Sequence, residues 1–181
     1  MAAVEEHETA SPQSVTLSFV YGTLKRGFPN YPQIPENAVY VGTARTLNAF
    51  PLVVSTQFSV PFMLYRPDHE KAFSVKGELF LLDEQSKSAI DKFEGVDTGF
   101  YYTKAIPVII MDISEGYGGH LHANEIVQAD VYFRDPSNTG PLWAHEWTIN
   151  RLLELPMIEE YTQEHALHYL VRASRNDRAK E

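Results

Sequence analysis

The chain contains no cysteine. That excludes disulfides, a thiolate nucleophile and zinc sites built on thiolates, and it fits a reducing compartment. No apolar run approaches the roughly 18–20 residues that a membrane-spanning helix needs. Positive charge is also scarce. Fifteen Lys and Arg stand against 24 Asp and Glu, a formal net charge of −9, which argues against nonspecific attachment to nucleic acid or to an anionic membrane. Met1 to Ser14 carries Glu5, Glu6 and Glu8 but neither the basic nor the apolar portion of a signal peptide, so the expected location is the cytoplasm. What is present is ordinary for a globular protein: 181 residues, 44% hydrophobic and 22% charged, enough to bury one real core.

Apolar periodicity and turn residues divide the chain into many strands and few helices. Val15 to Tyr21 reads as a first, buried strand. Phe28 to Pro35 contains Pro29, Pro32 and Pro35 and is expected to be loop. Val39 to Leu47 is β-branched and predicts a strand, while the prolines of 50–54 and 60–65 suit short strand starts or edges. Val75, Gly77, Leu79 and Leu81 alternate with Lys76, Glu78, Phe80 and Leu82, the period of a strand. A helix is predicted over 84–94, with Asp83 as N-cap, Ala89, Ile90 and Phe93 on one face, and Gly95 as its stop. Tyr101 to Met111 predicts a strand interrupted by Pro107, and Ile126 to Arg134 another. A helix is expected around 141–154, starting near Pro141 and carrying Trp143 and Trp147 as packing residues. Thr162 caps a last short helix, with Glu164 near its positive end. The order lacks regular βαβ alternation, so the expected class is α+β, a compact barrel-like domain. The expected division is a tail over 1–14, one domain over 15–171 and a charged tail over 172–181.

The segment Tyr21-Gly22-Thr23-Leu24-Lys25-Arg26-Gly27 follows directly on the first strand. Gly22 and Gly27 let the backbone turn and approach a ligand closely. Successive N–H groups of Gly22, Thr23 and Leu24 in such a turn can hold an anion such as a carboxylate. An ordinary strand-ending turn has the same local sequence, and a solvated helix-end carboxylate is the plain reading of Glu94 taken alone.

Together these residues carry a resemblance. The first motif with Asn30 shortly after it, then Pro51-Leu52-Val53, Gly77-Glu78-Leu79-Phe80 and Asp91-Lys92-Phe93-Glu94-Gly95, resemble the gamma-glutamyl cyclotransferase-like family, in particular its gamma-glutamylamine cyclotransferase and avirulence-induced-gene-like branch. The similarity covers roughly residues 15–134. It implies a small mixed β-barrel with attached α-helices. It also implies a cofactor-free enzyme, with no metal, that cyclises a small gamma-glutamyl substrate to 5-oxoproline and releases an amine. By motif position, Tyr21, Gly22, Thr23 and Leu24 bind the substrate's α-carboxylate through backbone amides, and Glu94 is the catalytic acid/base. At a helix C-terminus beside Phe93, Glu94 is expected to have a raised pKa suited to relaying protons.

Other residues stay open between two readings. Glu78 either touches the substrate amine or is a structural carboxylate. Tyr102, with Lys104 two positions on, fits an aromatic position of the family, although one extra residue separates it from Glu94; a core or rim tyrosine is the alternative. Lys25 and Arg26 either attract an anionic substrate or are solvated. His120, His122 and Glu125 have ligating side chains but no third histidine at helical spacing, and a solvated loop is the expectation. Leaving-group preference should lie in the loops around 28–37, 55–60 and 112–125. Cyclisation of gamma-glutamylamines leads; gamma-glutamyl amino acids or glutathione, or a non-catalytic carboxylate-binding module, are the alternatives. No nucleic-acid or membrane partner is expected, and the chain is expected to be a monomer.

Overall fold

Five strands close on themselves in the computed structural model of the chain, which describes residues 14–137, 147–171 and 174–175. The elements run β1 (Val15–Val20), β2 (Val39–Thr46), β3 (Leu52–Val54), β4 (Pro61–Met63), β5 (Lys76–Asp83), α1 (Glu84–Glu94), β6 (Tyr101–Ile113), β7 (Ile126–Arg134), α2 (Ile149–Leu153) and α3 (Gln163–Ala166). The barrel order is β1-β5-β2-β6-β7, and β3 and β4 form a separate two-stranded ribbon. Four barrel pairings are antiparallel; the closing one, β1 with β7, is parallel, with Ser18 opposite Asp130 and Phe19 opposite Val131. The class is therefore the expected mixed barrel with attached helices.

Strand alternation sorts side chains to the two faces of the barrel wall. Phe19, Leu79, Ile106, Val108, Ile110, Val131 and Phe133 meet in the interior cluster. The intervening Val20, Phe80, Leu82, Tyr101 and Tyr132 face outward and pack with Ile90 of α1, Phe62 of β4, Leu152 of α2 and Trp147. The protein thus has a core inside the barrel and a second apolar layer between barrel and helices.

The helix α1 begins and ends where its local sequence directs. The Asp83 carboxylate accepts from Ser86 N at 2.7 Å, and Gly95 takes the left-handed conformation (φ 75°) that closes the helix. Pro107 does not interrupt β6, which runs unbroken from Tyr101 to Ile113. Its carbonyl, and hence the side where its N–H is missing, faces Leu47, just past the end of β2. The missing donor falls where the β2 ladder has already ended at Thr46, the kind of edge position at which a proline is tolerated. Trp147 precedes α2 rather than lying within it. The expected helix start at 141–146, Trp143, and most of both tails lie outside the described residues. Among the described residues no helix is long and apolar enough to cross a membrane.

Candidate active site

Glu94 is the last residue of α1, so whatever fixes α1 fixes Glu94. Ile90, one turn earlier, is buried against the outer face of the barrel. Beside it, the Tyr132 hydroxyl of β7 donates to Asp91 Oδ1 at 2.7 Å. The Lys87 ammonium pairs with the same carboxylate and reaches Asp130 at 3.9 Å. The end of α1 is therefore tied to β7, the strand that runs parallel beside β1.

The loop that follows β1 is folded on itself. Lys25 N donates to Gly22 O at 3.2 Å, and Asn30 N donates to Thr23 O at 2.9 Å. The buried Asn30 side chain also donates to Thr23 Oγ1 (2.9 Å) and to the Tyr169 hydroxyl (2.7 Å). Among the described residues no protein acceptor takes the N–H of Thr23 or Leu24. A Cβ on Gly22 would lie 2.7 Å from Pro61 Cγ, so glycine is what allows the loop and the ribbon strand β4 to approach this closely.

These elements enclose one cavity at the end of β1. Tyr21, Gly22, Thr23, Leu24, Asn30 and Glu94 all line it. Pro61, Phe93, Phe100, Tyr101, Tyr132, Tyr169 and Arg175 complete most of the wall. Glu94 is half-buried. Two phenols lie within its electrostatic reach. Burial pushes Tyr21 well above its ordinary value and the nearby Glu94 carboxylate pushes it further. Tyr132 is raised by burial first, then by Asp91, with Glu94 adding to it. Both phenols therefore stay protonated and act as donors: Tyr21 to Tyr132 O at 2.8 Å, Tyr132 to Asp91. Tyr21 Oη also accepts from Met63 N at 3.3 Å, which fixes the ring at the mouth of the barrel.

The chain after α2 crosses this end as a strap. Lys25 Nζ donates to Tyr161 O (2.6 Å), Tyr161 Oη to Ser59 O (2.9 Å), Gln163 Nε2 to Gly27 O (3.1 Å) and Leu170 N to Phe58 O (3.2 Å). Tyr169 and Arg175 reach the cavity from it.

Two residues expected at the site are elsewhere. Glu78 lies outside the cavity, beside Lys25, Thr43, Lys76 and Glu160. Its carboxylate accepts from Arg26 N at 2.8 Å and lies 3.7 Å from Arg26 Nε, so it braces the far side of the loop. Tyr102 shares the strand face of Ile106 and Val108 and packs against Phe133, ring centroids 6.0 Å apart. Its neighbour Tyr101, one position out of phase, faces the cavity and donates to Pro61 O at 3.2 Å. Strand parity separates the two, and only Tyr101 lines this cavity. Lys25 is neither solvated nor at the site: it is buried and bonded to the strap, and burial lowers its pKa. Of the loops expected to set leaving-group preference, 28–37 contributes Asn30 and 55–60 contributes Val60, while 112–125 contributes no lining residue. In that last loop Glu125 accepts from His122 N at 3.0 Å. Among the described residues no three His, Asp or Glu side chains gather to hold a metal ion. Tyr132, Tyr169 and Arg175 were not singled out from sequence; each sits in an unremarkable local context and reaches the cavity only through folding.

Residues 18–148 match the family model described as gamma-glutamyl cyclotransferase, AIG2-like. The chain is 34% identical to the gammaglutamylamine cyclotransferase of Mus musculus over 163 residues, covering 87% of this chain and 97% of the relative. It is 30% identical to the Homo sapiens protein of the same name over 167 residues, covering 89% and 100%. Among solved structures, the crystal structure of an AIG2-like protein from Mus musculus superposes with a TM-score of 0.67 at 30% identity, covering 87% of this chain and 97% of that one.

Proposed function

The chain belongs to the gamma-glutamyl cyclotransferase, AIG2-like family, and from that premise we propose that it converts gamma-glutamylamines, such as gamma-glutamyl-ε-lysine, to 5-oxoproline and the free amine. The observation that carries this reading is that Glu94 and the loop Tyr21 to Leu24 line one cavity. An anion nest and a single carboxyl group facing the same space are what this reaction needs.

The substrate's α-carboxylate sits against the main-chain N–H groups of Gly22, Thr23 and Leu24. This folds the glutamyl group so that its own α-amine lies over its γ-carbonyl, and the attack is intramolecular. The amine arrives as an ammonium, and Glu94 takes its proton. The nitrogen adds to the γ-carbonyl carbon, a new C–N bond forms, and charge develops on the carbonyl oxygen. The isopeptide C–N bond then breaks as Glu94 returns that proton to the departing nitrogen, and the second proton of the attacking nitrogen passes by the same carboxyl group to the released amine, which leaves as an ammonium. Atoms and charge balance without any added reagent. Aromatic side chains, Tyr101 and Tyr132 among them, wall the cavity and limit the water that can compete.

Incubating the protein with gamma-glutamyl-ε-lysine, gamma-glutamyl-alanine and glutathione, with mass-spectrometric detection of 5-oxoproline, tests the reading. Turnover of the first substrate in preference to the other two is expected. Preference for glutathione would move the assignment to the neighbouring substrate class, and binding without product would leave a carboxylate-binding module.

A further inference from the structure

The cavity has two formally charged side chains among its described lining residues, Glu94 and Arg175. The two come from unrelated parts of the chain, the end of α1 and the C-terminal strap. Arg175 is 3% exposed. Its Nε donates to Leu170 O at 2.6 Å, and its guanidinium lies 5.0 Å from the Tyr169 ring centroid and 5.8 Å from that of Trp147. Sinking an arginine this deeply costs desolvation energy. Its bond to Leu170 O adds to the contacts of Gln163, Tyr169 and Leu170 that anchor the strap.

Arg175 is also on a particular side of the cavity. It stacks near Tyr169, the Tyr169 hydroxyl accepts from Asn30 Nδ2, and the same Nδ2 donates to Thr23 Oγ1. A continuous chain of contacts therefore joins Arg175 to the loop 22–24. A carboxylate entering this cavity meets the negative Glu94; without a cation it would be repelled from the space it has to occupy. An α-amino acid head group has the complementary pattern, with its amine toward Glu94 and its carboxylate toward Arg175.

We propose that Arg175 is a substrate-binding residue whose guanidinium, together with the main-chain N–H groups of the loop 22–24, holds the α-carboxylate of the gamma-glutamyl group. This rests on the cyclotransferase reading and adds to it a role for the C-terminal strap: the strap delivers the cation that makes the site specific for an α-amino acid head. The planar fork of arginine suits a carboxylate better than the point charge of lysine does.

The experiment uses the full chain and the variants Arg175→Gln and Arg175→Lys, with folding checked by circular dichroism. Two ligands are compared by calorimetry: 5-oxoproline and its carboxamide, which differ only in the group Arg175 is assigned to hold. Wild type is expected to prefer the carboxylate. Arg175→Gln is expected to cut that preference at least about tenfold and to raise KM for gamma-glutamyl-ε-lysine by a similar factor, with a smaller change in kcat. Arg175→Lys is expected to keep part of the preference, and it carries the test if the glutamine variant does not fold. An equal loss of affinity for both ligands would mean a structural role and overturn the inference, as would unchanged preference in both variants or no preference in wild type. A wild type that releases no 5-oxoproline from any gamma-glutamyl compound, yet shows the Arg175-dependent preference, would overturn the proposed reaction and leave this assignment standing.

Discussion

Asn30 and Thr23 are joined twice, by main-chain N to O and by side-chain Nδ2 to Oγ1, both at 2.9 Å. The double link closes the loop after β1, and the N–H groups of Thr23 and Leu24 sit within that closed turn. The same Asn30 amide then reaches Tyr169 on the strap at 2.7 Å. One side chain thus fixes both the proposed anion nest and the strap beside it.

Asn30→Ala removes both side-chain bonds and leaves Thr23 Oγ1 without its donor. We expect a loss of about 1–3 kcal/mol in unfolding free energy, the usual penalty for an abandoned buried polar partner. We also expect a severalfold rise in KM that exceeds the fall in kcat, since the loop positions substrate. Urea unfolding and steady-state kinetics on one preparation measure both. A variant with wild-type KM would detach Asn30 from the site.

Glu94→Gln keeps shape and hydrogen-bonding capacity but cannot carry a proton. Because the residue is half-buried at a helix end, the fold should be retained and the unfolding midpoint little changed. Turnover should fall by roughly 10²–10⁴-fold, and the pH dependence of kcat should lose the limb that reports this carboxyl group. A folded variant with wild-type kcat would refute the catalytic assignment.

Gly77→Ala tests how the barrel supports the loop. A Cβ there would lie 2.4 Å from Val20 O and 2.6 Å from Phe19 Cζ. Backbone cannot give way as a flexible side chain can, so β1 has to shift. Overpacking of about 1–3 kcal/mol is expected, with lower activity because Val20 leads directly into Tyr21. Thermal unfolding and turnover check it; an unchanged midpoint would show that β1 and β5 are more loosely packed than described.

Glu78 offers a prediction in pH. Burial raises its pKa above the ordinary 4.5, and the bonds from Arg26 only partly offset this. The folded carboxyl therefore keeps its proton at pH values where the unfolded one has lost it, and folding takes up a proton in that window. The stability this group contributes is full below the unfolded value and declines as pH rises through the folded one. The difference in unfolding free energy between wild type and Glu78→Gln should accordingly fall as pH rises above the ordinary carboxyl range of the unfolded chain. A difference that grows with pH there would mean that the Arg26 pairing outweighs burial.

Much of the fold could be read locally, because local chemistry set it. Asp83 and Gly95 bound α1 at both ends, and alternation in 75–82 marked β5. Pro107 misled because a proline's cost depends on whether the missing N–H faces a partner, and the end of β2 at Thr46 cannot be seen from residue 107. The placement of Tyr102 was not legible for a related reason. Two adjacent tyrosines on a strand face opposite ways, and nothing local says which face borders a cavity. Glu78 belonged to the same run as its interior neighbours, yet its carboxylate turned to Arg26, a pairing across the fold.

By itself the sequence determined the strand–turn after β1, the helix that ends in Glu94, the absence of thiol chemistry and the family. These follow from short-range rules: residue periodicity, caps, glycine placement and motif order. Tertiary structure decided that Glu94 and the loop at Gly22 share one cavity, that Tyr101 rather than Tyr102 lines it, and that a strap from the far end of the chain brings Tyr169 and Arg175 to its wall. Those outcomes depend on barrel closure through the parallel β1–β7 pair and on long-range packing, which bring together residues whose own neighbourhoods carry no sign of the meeting.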